Sequence, residues 1–436
     1  MTLGSSAPGL SRRLGTTDAV VIGLGSMLGA GVFAVFGPAT AVAGSGMLVG
    51  LVIAAVIAYC NATASAQLAA FYPTSGGTYI YGRQRLGHWW GFTAGWGFVI
   101  GKTASCAAMA LTFASYTVPG PVWAQRLVAV AAVLALAALN YRGVSKTAML
   151  TRILVGLTLL ALAVVVIGIA VGDTGDTAGL AGIGGWAALS DGGVYGTLQA
   201  AGLLFFAFAG YARIATMGEE VRDPQRTIPR AIITALAIAV TIYLLIGAAA
   251  LLAAGPDRLA GATAPLSEAV QAAGVGGLEP VVRIGGAIAS LGALLALIAG
   301  VGRTSLAMAR HRDLPGWLAA VHPHFQVPHH ADIAVAVGIA ALVLTLDLRS
   351  MIGFSSFGVL VYYAIANASA FTQPTDQRRW PRWLNLLGVT GCLVLVATLP
   401  WQAAVAGLVM FAIGLAGRWL VLRRRTHRAA TSPTRR

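Results

Sequence analysis

Apolar runs of about 20 residues, long enough to cross a hydrocarbon core as helices, recur along the whole of this 436-residue chain. That single pattern excludes most soluble architectures. Charged residues make up only 10% of the chain, against about a quarter in a soluble domain. The formal net charge of +15 does not read as nucleic-acid binding, because the basic residues are spread over the loops between apolar runs instead of forming one patch. Residues 1–14 are polar and carry Arg12 and Arg13. They lack an apolar core followed by a small-residue cleavage site, so no removable signal peptide is expected. Cys60, Cys106 and Cys392 all fall inside apolar runs, which argues against a disulfide framework or a structural zinc site.

The spans are expected at 17–38, 43–70, 89–116, 122–140, 150–171, 196–220, 229–253, 282–309, 333–346, 350–371, 384–399 and 401–421. Loop charges check the count. Arg12, Arg83, Arg142, Lys146, Arg222, Arg310, Arg378 and Arg423 fall in one set of loops, whereas the alternate loops hold Asp173, Asp176, Asp191, Asp257, Glu268 and Glu279. That alternation places both termini in the cytoplasm of a plasma (inner) membrane protein and requires an even number of spans, about twelve. Trp89, Trp90, Trp383, Trp401 and Trp419 sit at span ends, as an interfacial aromatic belt should.

Two spans carry small or glycine-rich residues at their centres: Gly23-Leu24-Gly25-Ser26-Met27-Leu28-Gly29-Ala30-Gly31-Val32-Phe33 in the first, and Phe205-Phe206-Ala207-Phe208-Ala209-Gly210-Tyr211 in the sixth. Glycine weakens a helix, and an unwound backbone at membrane depth is tolerated only against protein, a cavity or a ligand. The first span runs outward and the sixth inward. The expected fold is therefore an all-α membrane protein with a 5+5 inverted repeat, broken first and sixth helices, and two further C-terminal helices. Its parts are a cytoplasmic N-terminus at 1–16, five-helix repeats at 17–171 and 196–371, an added helix pair at 383–421, and a basic cytoplasmic tail at 422–436. Arginines from Arg418 onward read as a disordered end drawn to anionic lipids.

A broken helix offers two fresh ends. N–H groups at Gly29, Ala30 and Gly31 carry the positive end of a helix dipole and suit a carboxylate. Carbonyls near Ser26, Met27, Phe205, Phe206 and Ala207 suit an ammonium group, and Phe206 and Phe208 can close over a side chain. One pole of each kind describes a free α-amino acid. The competing reading is that these glycines only permit close helix packing.

These residues resemble the amino acid–polyamine–organocation permeases, which have the leucine-transporter-like fold. The resemblance rests on the two stretches above, including Gly210, and on Tyr72-Pro73-Thr74-Ser75-Gly76-Gly77-Thr78-Tyr79 after span two. It rests also on Glu219-Glu220-Val221-Arg222-Asp223-Pro224-Gln225-Arg226-Thr227-Ile228-Pro229 after span six, and on Arg303 with Met308-Ala309-Arg310-His311-Arg312-Asp313-Leu314-Pro315 at the end of span eight. It implies secondary transport of amino acids or related amines by alternating access, driven by a proton or a sodium ion, with no cofactor. Some members carry a lysine in span five in place of sodium; alignment through 143–148 puts Thr158 there. Acid-resistance exchangers carry a glutamate in span six, where this chain has Ala212 followed by Arg213.

Lys102 in span three is the one lysine placed well inside a span. It is either a coupling group or a structural partner of helix carbonyls. Arg213 is expected to pair with Glu219 or Glu220 as an inner gate, or to snorkel to the surface. The spans offer no acid near their middles, so neutral amino acids are favoured over cationic ones. An exchanger and a non-transporting sensor are the alternatives. Two motifs are decoys. Gly97-Phe98-Val99-Ile100-Gly101-Lys102-Thr103 imitates a phosphate loop but lies within a span, and the cluster of His322, His324, His329 and His330 matches no ligand spacing.

Overall fold

The computed structural model describes residues 14–74, 76–142, 148–172 and 192–431. Arg12, Arg13, Ser75, Lys146, Asp173, Asp176 and Asp191, on which parts of the sequence reading rest, lie outside the described residues, as do 432–436. The described chain is built of helices joined by short turns. They are α1 (Thr16–Met27), α2 (Ala30–Ala34), α3 (Phe36–Ala43), α4 (Met47–Phe71), α5 (Thr78–Arg85), α6 (His88–Thr117), α7 (Val122–Tyr141) and α8 (Ala148–Val171). There follow α9 (Gly193–Phe208), α10 (Ala212–Ala215), α11 (Pro224–Gly261), α12 (Pro265–Ala272), α13 (Glu279–Arg310), α14 (His329–Thr345), α15 (Leu348–Phe371), α16 (Arg382–Thr398) and α17 (Trp401–Thr431).

Among the described residues, ten segments are long and apolar enough to cross a membrane. Two further apolar helices, α14 and α16, have 17 residues each, at the short end of what a bilayer core needs. The expected boundary between the first two spans moves. Helix continues through α3 to Ala43, and the turn falls at Gly44–Gly46, where Gly44 takes a φ of 54° that its missing Cβ permits. Elsewhere the ends follow local chemistry. Asp347 caps α15, accepting from the N–H groups of Arg349 (3.1 Å) and Ser350 (3.3 Å). Prolines precede or open α7, α11, α16 and α17, where the missing N–H costs nothing.

The interior is organised around α6, which packs along both α13 and α15. Small residues make this possible. A Cβ on Gly358 of α15 would meet the Gly97 carbonyl at 2.8 Å and the Gly101 Cα at 3.2 Å. The run that imitates a phosphate loop is thus a small-xxx-small helix contact. Ser105 and Ser355 close the same seam with a 2.6 Å hydroxyl pair.

The basic C-terminal end differs from expectation. Helix α17 continues to Thr431, and Arg418 is buried in an ion pair with Asp313 while its guanidinium stacks over Phe92. Asp313 also accepts from the Tyr79 hydroxyl at 2.7 Å and pairs with Arg83 at 3.2 Å. Burial and the neighbouring carboxylate push the Tyr79 hydroxyl above its usual range, which keeps it a donor. Arg418 is therefore part of the packed protein and not of a free tail. Its charge has a carboxylate partner that composition alone does not reveal.

Candidate functional site

Both expected helix breaks are present, and they differ in kind. Helix α1 stops at Met27, Leu28 turns with ψ near 9°, and Gly29 takes a non-helical ψ of −137° before α2 begins. This is a true interruption. The sixth span is only tightened: α9 ends at Phe208, Ala209–Tyr211 form a 3₁₀ turn, and α10 resumes at Ala212. A 3₁₀ turn shifts each bond from the fourth to the third neighbour and leaves carbonyls short of partners.

The two breaks touch backbone to backbone. A Cβ on Gly210 would collide with the Ser26 carbonyl, and one on Gly31 would sit 2.9 Å from the Ala207 Cα. A Cβ on Gly29 would collide with Ala293 of α13. Protein donors take several of the freed carbonyls. The Tyr243 hydroxyl of α11 lies 2.5 Å from the Met27 oxygen and 3.0 Å from the Ala207 oxygen, so it bridges both breaks. The Ala209 oxygen accepts from Lys102 Nζ at 3.2 Å and from the Tyr363 hydroxyl at 3.3 Å.

Beside this junction lies a cavity of about 820 Å³, part of it open to solvent, bounded by both broken helices, α6 and α13. The helical repeat supplies its walls. Phe98, Lys102, Ser105 and Met109 recur at spacings of four, three and four along one face of α6, and Ala293, Leu297, Gly300 and Thr304 do the same on α13. Three cations line it: Lys102, Arg213 and Arg303. No Asp or Glu is among its described lining residues. Lys102 is 5% exposed and forms no ion pair with any described acid. Arg213 and Arg303 share one carboxylate oxygen, Glu220 Oε1, at 3.8 and 3.2 Å.

Of the residues singled out in the sequence, Ser26, Phe206, Gly210, Lys102 and Arg213 line the cavity. Met27, Gly29, Ala30, Gly31, Phe205, Ala207 and Phe208 are buried around the junction and are not among its lining. Phe205 packs edge-on to Tyr363 and Phe208 to Tyr243. Thr158 returns its hydroxyl to the Leu154 carbonyl of its own helix at 2.9 Å and does not line the cavity. Arg213 does not snorkel; its guanidinium turns to Glu220 and to the Thr216 hydroxyl at 3.3 Å. Glu219 is half-buried in the turn after α10. Arg303 enters the sequence reading only through the family resemblance, and the contribution of α13 to the cavity wall is not among the expectations. Its signal was a polar face, Gly300, Arg303 and Thr304, on an otherwise apolar helix.

A bundle of membrane-length helices, interrupted in two places beside a polar internal cavity, defines a multi-pass membrane transporter. Residues 14–416 match the amino acid permease family model, and the chain belongs to that family. It is 57% identical over 429 residues to an uncharacterized transporter of Mycobacterium tuberculosis, covering 98% of this chain and 96% of the relative. It is 27% identical over 440 residues to a branched-chain amino acid permease of Bacillus subtilis, covering 94% and 93%. A chloroplastic cationic amino acid transporter of Arabidopsis thaliana is 29% identical over 426 residues, covering 91% of this chain and 72% of that protein.

Proposed function

We propose that the protein is a secondary transporter that moves an amino acid across the plasma membrane by alternating access, coupled to an ion, with a proton ahead of sodium. In this reading both termini are cytoplasmic, and residues 17–171 and 196–371 act as two inverted five-helix repeats with 383–421 as an addition. The observation that carries it is the meeting of the two broken helices at the wall of a cavity that α6 and α13 complete. A junction of this kind is where one repeat rocks against the other around a fixed site.

The charge of the wall supports neutral over cationic substrates. A lysine or arginine side chain would enter beside Lys102, Arg213 and Arg303 with no lining acid among the described residues to receive it. The amino acid's carboxylate is oriented by Lys102 and its ammonium by carbonyls near Ser26, while Gly29, Ala30 and Gly31, behind the lining, shape the break. Phe206 covers the side chain. Lys102 is the coupling candidate, since span five offers only Thr158. Arg213, with Glu220 and beside Glu219, forms the cytoplasmic gate.

The test uses purified protein in sealed liposomes loaded with buffer alone. Labelled neutral and cationic amino acids are offered with and without an inward proton or sodium gradient. Gradient-driven accumulation of a non-cationic amino acid is the expected result. Uptake only after preloading with unlabelled amino acid would make the protein an exchanger, and binding without flux would make it a sensor.

A further inference from the structure

The charge on the cavity wall goes further than a preference for neutral substrates. Lys102 is buried, and among the described residues its hydrogen bond goes to a neutral carbonyl, that of Ala209 at 3.2 Å. An ammonium in that setting has lost its hydration without gaining an opposite charge. A second cationic position lies close by. Arg213 and Arg303 both contact the single oxygen Glu220 Oε1, and the Asp332 carboxylate, which does not line the cavity, also acts on Arg303. Lys102 reaches the level of Ala209, and Arg213 leaves the chain four residues later, about one helical turn or ~5.4 Å along the axis. The wall thus presents two cationic positions at different depths, with no lining acid among the described residues.

We propose that the substrate of this cavity is an acidic amino acid, whose two carboxylates occupy the Lys102 position and the Arg213–Arg303 position. The proposal rests on the transport reading above and names the substrate class of the same site. A zwitterion with an apolar side chain satisfies only one of the two positions. A cationic amino acid adds a positive charge to a wall that already carries three and is excluded by repulsion. The positive wall also concentrates anions at the mouth before they bind. Ser26, Ser105 and Thr304, which also line the cavity, supply neutral hydroxyls and do not alter this balance.

The test measures binding of labelled L-glutamate and L-leucine to the purified full-length protein in detergent, then uptake in liposomes. Unlabelled L-glutamate or L-aspartate is expected to displace label at least about tenfold better than L-leucine, and L-lysine and L-arginine not to compete. Succinate and glutarate, which keep two carboxylates but lack the amino group, are expected to compete weakly. Lys102→Met and Arg303→Gln should each lower glutamate affinity by about tenfold or more while changing leucine affinity less, and Lys102→Arg should restore it. Size-exclusion profiles and melting temperatures of the same variants show whether they fold, and the competition series on unaltered protein does not depend on them. Leucine or lysine binding as tightly as glutamate would overturn the proposal and leave the transport reading intact. Strong competition by succinate alone would overturn it in favour of an organic dicarboxylate. If no amino acid of any charge binds or moves, the transport reading falls and this proposal with it.

Discussion

Lys102 donates its Nζ to the Ala209 carbonyl at 3.2 Å, across the gap between α6 and the tightened turn of the sixth span. The bond joins a buried cation to a carbonyl that the 3₁₀ turn has left short of an intrahelical partner. It therefore depends on the protonation of one side chain and on the geometry of one break. A coupling group needs both dependences.

Replacing Lys102 by methionine removes the charge and keeps the length. Gradient-driven uptake is expected to lose its pH dependence, whereas exchange of substrate for substrate, which needs no net proton movement, persists. Uptake into liposomes at a series of external pH values, with and without preloaded substrate, measures both. An unaltered pH profile would return Lys102 to a purely structural role.

Tyr243 ties the two breaks together, with its hydroxyl 2.5 Å from the Met27 oxygen and 3.0 Å from the Ala207 oxygen. A hydroxyl has one proton, so one of these contacts is the stronger at any moment. Tyr243→Phe leaves both carbonyls buried without that donor, at a cost of about 1–3 kcal/mol. The melting temperature in detergent should fall accordingly. Transport should slow more than binding weakens, because the lost link joins the segments that must move together. Equal loss in binding and transport would place Tyr243 in the substrate site instead.

How much of this was legible in the sequence follows from what each residue type reports. Gly29 marks the first break because an unwound backbone selects glycine directly, and the structure stops α1 two residues before it. The second break is expected somewhere in Phe205–Tyr211 and narrows to Ala209–Tyr211, since a 3₁₀ turn leaves no compositional mark of its own. The pairing of Arg213 with Glu220 is one of the two outcomes the sequence leaves open, whereas the burial of Arg418 against Asp313 joins residues far apart in the chain. Periodicity within one helix carries no information about such partners. The α13 wall escapes the sequence for the same reason: a face with Gly300, Arg303 and Thr304 does not say which helix lies opposite it.

The glycines divide into two classes that the sequence does not distinguish. Gly31 and Gly210 have backbone of the partner break where a Cβ would go, whereas Gly300 lines the cavity with nothing within 4 Å of that position. Gly210→Ala should therefore reduce the yield of folded protein, as overpacking against backbone costs about 1–3 kcal/mol or more. Gly300→Val should leave yield and melting temperature unchanged and weaken substrate binding by narrowing the cavity. Expression with fluorescence-detected size exclusion, followed by binding on whatever folds, separates the two. Equal behaviour of the two variants would contradict the assignment of Gly300 to the cavity wall.

Glu220 holds Arg213 of α10 and Arg303 of α13 on a single oxygen, and its backbone carbonyl accepts from the Leu14 N–H at 3.1 Å. The segment leading into α1, the turn after α10, and α13 are thus fastened at one point. Removing the charge by Glu220→Gln leaves two guanidiniums side by side and turns attraction into repulsion. The cavity should then open more often on that side. A cysteine placed at Ser105, in a background where Cys60, Cys106 and Cys392 are replaced, reports the opening through its labelling rate with a membrane-impermeant maleimide. The rate is expected to rise severalfold in Glu220→Gln and to rise in the parent only at high salt, where partly exposed ion pairs are screened. If neither the substitution nor salt changes the rate, the cluster is a static brace, and the gate must be sought among the apolar side chains that line the same mouth.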